Sequence, residues 1–153
     1  MTSQLRDTND GSLTLSKSVL RAIFLRKGGA GFNTRPFEQF ANDIQGQMMS
    51  QMLLLEGEEP VIAYFQSASE WVLITTKRVI WFADGKLSEL NNSEVSDATL
   101  DLARDARLGA KTKKDLRHLV IETSSAEKHR IRLEPGPPFF AVLNVIKHIA
   151  AVS

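Results

Sequence analysis

The sequence predicts an α+β domain in which two amphipathic helices precede an antiparallel sheet and a third helix closes the chain. Three observations carry this. Trp71 to Ala83 reads as two buried strands folded at Thr76-Lys77, since β-branched and aromatic residues fill both arms and the charges sit at the bend. Phe37 to Leu55 repeats apolar residues at helical spacing. Pro135-Gly136-Pro137-Pro138 ends the strands and opens a last apolar-faced helix, because proline suits a first turn and not a central strand.

In chain order, Met1 to Ser12 is polar, without the apolar middle of a signal peptide. Leu13 to Lys27 places Val19, Leu20, Ile23 and Phe24 on one helical face, flanked by Lys17, Arg21, Arg26 and Lys27, and Gly28-Gly29 ends it. That helix is expected to pack on its own domain or on a second copy; a membrane-surface helix is the alternative. Gly28 to Gly31 resembles a phosphate loop only superficially. No strand precedes it and no Gly-Lys-Ser/Thr follows, so a flexible connector is expected.

Pro36 is placed in the first turn of a second helix with Asn33 or Thr34 as its cap. Phe37, Phe40, Ala41, Ile44, Met48, Met52 and Leu55 then form one stripe, whose expected use is to cover the sheet or a symmetry mate. Phe37, Phe40, Ile44, Met48 and Met52 are the candidate self-association face. Glu56 to Pro60 breaks the helix, and Glu58 and Glu59 are read as solvated. Strands follow at Val61 to Gln66, on both sides of Thr76-Lys77, and at Lys86 to Leu90 after an Asp84-Gly85 hairpin turn.

Asn91 to Ala98 is polar and turn-prone, and pattern does not decide between strand and helix for Thr99 to Leu108. Gly109 to Lys114 reads as a loop and Leu116 to Thr123 as a strand. Glu127 to Glu134 alternates, with His129, Ile131 and Leu133 on one side and Lys128, Arg130 and Arg132 on the other. In the closing helix Phe139, Val142, Leu143, Ile146, Ile149 and Ala150 share a face. The whole is six or seven strands.

Composition bounds the function. The 153 residues suit one core, and 19 Lys and Arg against 18 Asp and Glu argue against a dedicated nucleic-acid binder. The chain has no cysteine, which removes disulfides, thiolate chemistry and Cys-ligated zinc. No apolar run approaches the ~20 residues of a membrane span. A cytoplasmic protein is expected.

Charge is uneven. Residues 104 to 132 hold nine cations, Arg104, Arg107, Lys111, Lys113, Lys114, Arg117, Lys128, Arg130 and Arg132, against four acids. This is the candidate patch for an anionic partner: an acidic protein, an anionic membrane surface or RNA. No nucleic acid is expected, since no aromatic-bearing RNA-binding signature is present and Trp71 and Trp81 lie in runs that predict burial. His118, His129 and His148 lack metal-ligand spacing, and no Gly-x-Ser-x-Gly elbow occurs. Neither an enzyme nor a cofactor is expected.

Two motifs carry a family resemblance. Leu53-Leu54-Leu55-Glu56-Gly57-Glu58-Glu59 before a strand, and Leu73-Ile74-Thr75-Thr76-Lys77-Arg78-Val79-Ile80 at a bend, resemble the bacterial pleckstrin-homology-like (PH-like) domains. Leu133 to Phe140, running into a closing helix, fits them too. The match covers about residues 55 to 152. It implies a PH-like antiparallel β-sandwich or partly open barrel over 55–153, capped by the C-terminal helix and preceded by a polar tail and two-helix extension over 1–54. It also implies a binding or assembly module without chemistry, often self-associating. Lys77 and Arg78 are expected to keep a tight turn soluble. In phosphoinositide-binding relatives of the wider superfamily the loop between the first two strands is rich in cations. Here it is Gln66-Ser67-Ala68-Ser69-Glu70, with no cation and one acid, so headgroup binding there is not expected.

The leading expectation is therefore a self-associating PH-like binding module, with peripheral attachment to anionic lipid through 104–132 as the alternative.

Overall fold

The computed structural model describes residues 14–153; the polar start, Met1 to Ser12, lies outside them. The first helix, α1 (Lys17–Arg26), is capped by the Ser16 hydroxyl, which accepts from the Val19 N–H. It buries Leu20, Ile23 and Phe24, so the predicted apolar face is occupied within the chain, although Val19 lies outside it. Its flanking Lys17 and Arg21 both pair with Glu38.

The second predicted helix is corrected. Thr34–Pro36 forms a short edge strand, β1; Phe37–Gln39 is a single 3₁₀ turn; and the helix, α2, spans only Asn42–Met49. Proline here ends a strand and does not begin a helix, a choice that the missing N–H permits equally at a sheet edge. The stripe is broken into pieces, yet Phe37, Phe40 and Met48 are still buried, with Ile44 and Met52 packed beside them. They lie on Ala63, Trp71, Leu73 and Ile80, the outer face of the sheet.

That sheet runs β1, β2 (Pro60–Ser67), β3 (Glu70–Thr75), β4 (Arg78–Ala83) and β5 (Lys86–Asn91), all antiparallel neighbours in sequence order. Register puts Val72 opposite Trp81 and Trp71 opposite Phe82, and the two pairs face opposite sides. Both faces of β3 and β4 are covered, which explains why the central strands read as continuous apolar runs. The β4–β5 hairpin turns on Asp84 and Gly85 at φ 53° and 74°, the two positive values a type I′ turn requires.

A second sheet holds β6 (Val95–Leu100), β7 (His118–Thr123) and β8 (Lys128–Arg132). The polar Asn91 to Ala98 stretch is thus partly strand, carried by inward Val95 and Ala98 after a 3₁₀ turn at Asn92–Glu94. The undecided segment divides at Asp101, which ends β6 and caps a short helix, α3 (Leu102–Arg107). Ile131 and Leu133 point inward and Lys128, Arg130 and Arg132 outward, as alternation predicts.

The closing helix α4 (Pro137–Val152) buries Phe139, Val142, Val145, Ile146 and Ile149 between the sheets and α1. Among the described residues the architecture is α+β: two antiparallel sheets and a C-terminal helix, with no closed barrel. Among the described residues no helix is long and apolar enough to cross a membrane.

The glycine tract is not a flexible connector. Gly31 lies so close to α4 that an added Cβ would stand 2.6 Å from the Glu134 carboxylate and 2.5 Å from Pro138. Glu134 accepts from the N–H groups of Phe32 (2.8 Å) and Asn33 (3.0 Å) and from the Thr34 hydroxyl (2.7 Å). The loop does gather an anion, and the anion is the chain's own.

The two motifs behind the family resemblance meet in the core. Glu58, read from sequence as solvated, is buried; its Oε2 accepts from Arg78 Nε at 2.8 Å and its Oε1 from Arg78 Nη2 at 2.6 Å. Lys77 and Arg78, expected at a soluble turn, are buried as well, at 6% and 7% exposure. The reason is local: Thr75 Oγ1 accepts from the N–H groups of Lys77 and Arg78 and donates to Glu58, which folds the bend inward. Arg78 further donates to the Leu53 carbonyl and to Glu89.

Candidate functional site

The outer face of the second sheet carries the chain's cationic cleft. Asp105 on α3 is 1% exposed, and both of its oxygens are engaged. Oδ2 accepts from the N–H groups of Arg117 and His118, each at 3.1 Å, and Oδ1 lies 2.7 Å from His118 Nδ1. Burial disfavours the charged carboxylate, but the His118 ring and the two backbone donors outweigh it and hold Asp105 below its ordinary value. An ionised carboxylate only accepts, so Nδ1 carries the proton and the ring is fixed in orientation.

Short sequence spacing builds this device. Asp101 caps α3 through the Arg104 N–H, which starts the helix directly after β6 and lays Asp105 over the first residue of β7. Asp115 then closes the loop: it accepts from the N–H groups of Lys111 (2.9 Å) and Thr112 (3.1 Å), which hold its carboxyl below the usual range, while Thr112 caps the turn at Lys113–Asp115. The loop between α3 and β7 is a folded unit, fixed at both ends by carboxylates.

Between α3, this loop and β8 lies a cleft of about 560 Å³ lined by Arg104, Asp105, Asp115, Arg117, His118 and Arg132. A neighbouring hollow of about 290 Å³ shares Arg104, His118 and Arg132 and adds Arg130, Trp81 and Glu70. Arg132 Nε stands 3.8 Å from Glu70 Oε2, and Arg130 Nε donates to Asp101 Oδ2 at 2.6 Å. The guanidinium groups of Arg104 and Arg117 make no ion pair among the described residues. The cleft thus presents unused donors, while both Asp105 oxygens and Asp115 Oδ2 already hold protein hydrogens.

Of the nine cations singled out from the sequence, Arg104, Arg117 and Arg132 come together in the main cleft and Arg130 joins at its edge. Arg107, Lys111, Lys113, Lys114 and Lys128 are exposed and line neither hollow. His118 and Asp105 were missed. They stand thirteen residues apart on different elements, so no single-element spacing links them; the available signal was the cap residue Asp101 followed by a second aspartate one turn on. His129 sits at the core edge, its ring 5.7 Å from that of Trp81.

The stripe named as a self-association face lies elsewhere. Phe37, Phe40 and Met48 are covered by the chain's own first sheet, so they do not form an open surface. The large apolar residues that are open in this region are Leu53, at 86% exposure, with Leu54, Leu55 and Leu87.

Comparison with models of protein families, with curated proteins and with solved structures finds no match to this chain.

Proposed function

We propose that this chain is a PH-like binding module, without chemistry of its own, that recognises an anionic partner through the cleft on the outer face of its second sheet. The observation that carries the reading is the convergence of Arg104, Arg117 and Arg132, from α3, the following loop and β8, on one hollow beside the fixed His118 ring. Arg104 and Arg117 make no ion pair among the described residues, and guanidinium forks with spare donors are suited to bind carboxylate or phosphate oxygens. Two sheets closed by a C-terminal helix are what the PH-like resemblance implies, and the Glu58 to Arg78 pair gives its two motifs a common physical role. The experiment is a thermal-shift panel of anions from acetate to heparin at fixed ionic strength. At least one should stabilise the wild-type chain and fail to stabilise Arg117→Ala; a panel without any stabilising anion contradicts the reading.

A second reading, self-association, is favoured by one observation. Leu53 and Leu87 are exposed beside a hollow that Met49 and Met52 also line. Sedimentation velocity over a wide concentration range tests it, and a strict monomer contradicts it.

A further inference from the structure

Resting on the binding reading above, we infer that the cleft receives a tetrahedral oxyanion: inorganic phosphate, or the terminal phosphate of a phosphomonoester, held by Arg104, Arg117 and Arg132. Three features of the site point past a generic preference for negative charge.

The first is the balance of donors and acceptors. Of the acids in the wall, Asp105 accepts from the His118 ring and the N–H groups of Arg117 and His118, and Asp115 Oδ2 accepts from those of Lys111 and Thr112. The donor-only guanidinium groups of Arg104 and Arg117 line the cleft with no close ion pair among the described residues, although each lies in the field of an acid, Asp101 and Asp115 respectively. A ligand group that also donates finds few acceptors here, and one that only accepts finds many donors.

The second is the number of forks. The three arginines rise from three separate elements around one hollow. A planar carboxylate has two oxygens and is saturated by one or two bidentate forks, whereas a phosphate monoester offers three terminal oxygens in three directions. The third is size. A hollow of about 560 Å³ falls in the range of small-molecule sites and is roomier than a bare phosphate needs, so a carrier bearing the phosphate fits with it. Arg132 is shared with Glu70, 3.8 Å away, so Arg104 and Arg117 are the cleft arginines with no close ion pair among the described residues.

The test is titration of the full chain with inorganic phosphate and, separately, with acetate at matched ionic strength, in wild type, Arg104→Ala, Arg117→Ala and Arg107→Ala. Arg107 lies exposed on the same helix and outside the cleft, so it controls for charge alone. Phosphate should bind more tightly than acetate. Arg104→Ala and Arg117→Ala should each weaken it about tenfold or more, and Arg107→Ala should stay near wild type. Vesicles of phosphatidylcholine with phosphatidic acid, against vesicles with phosphatidylglycerol, separate a lipid-borne phosphomonoester from a soluble one. Pelleting with phosphatidic acid that needs Arg104 assigns the lipid source, and phosphate binding without it assigns a soluble carrier. Equal affinity for acetate and phosphate, or equal losses in Arg107→Ala and Arg104→Ala, overturns the oxyanion inference and leaves the anion-binding module standing. Binding of neither anion nor vesicle overturns both. Because Arg104 is exposed, its alanine variant tests the site without depending on a buried substitution.

Discussion

The Glu58 carboxylate and the Arg78 guanidinium form a two-pronged ion pair, at 2.6 and 2.8 Å, with the Glu58 side chain fully buried. It joins the segment before β2 to the bend between β3 and β4. Burial raises the cost of the Glu58 charge, but the hydrogen bonds from Arg78, Leu55 and Thr75 outweigh it and hold its carboxyl below the ordinary value. The Arg78 value is raised in turn, chiefly by Glu58.

Removing one partner strands the other charge in the core. Arg78→Met and Glu58→Leu should each lose about 3–5 kcal/mol in urea unfolding, while the double variant recovers most of that loss. Additive losses in the double variant would contradict the pairing.

Acid should unfold the chain through these groups. Glu58 and Asp105 both titrate below their ordinary values of 4.5 and 3.8, so the unfolded chain binds more protons in this range than the folded one. Their contribution is fully present above the unfolded values and is lost as pH falls through the folded ones. Urea midpoints should hold between roughly pH 6 and 5 and then fall toward about pH 3 in wild type, and fall less steeply in Glu58→Gln.

Asp105 holds the α3 to β7 loop. Asp105→Ala leaves the His118 ring and two backbone N–H groups without an acceptor, at about 1–3 kcal/mol for each group left buried. Amide exchange at Arg117 and His118 should quicken, and phosphate affinity should fall with it although all three arginines are retained. Unchanged exchange at those two amides would contradict the role given to Asp105.

The N-terminal segment is part of the core. Phe40→Ala and Met48→Ala open cavities against Trp71, Leu73 and Ile80 and should cost about 2–5 kcal/mol each. A loss within a few tenths of a kcal/mol would mean that this face of the sheet is not covered as described.

Much of the sheet was legible because strand signals were local. The apolar run of Trp71 to Ala83, the Asp84-Gly85 turn and the alternation of Lys128 to Arg132 each need only nearest neighbours. Phe37 to Leu55 misled for a physical reason. Residues that cover a flat sheet face can sit at helical spacing without forming one helix, since a strand end, a 3₁₀ turn and a short helix deliver Phe37, Phe40 and Met48 to the same place. The buried acids Glu58 and Asp105 and the half-buried Glu134 were not legible singly. Each is defined by donors far away in sequence, such as Arg78 for Glu58 and Phe32 to Thr34 for Glu134. For the cleft, sequence located the charge, and the fold selected which arginines share it.

Arg104, Arg117 and Arg132 are proposed to form one anion site beside His118. Backbone amide chemical shifts followed during a phosphate titration test it most directly. Saturable changes are expected in α3, residues 109 to 118 and the end of β8, with Lys128 and the Leu53 region unmoved. Weak, unsaturated changes spread over all exposed lysines and arginines would contradict it.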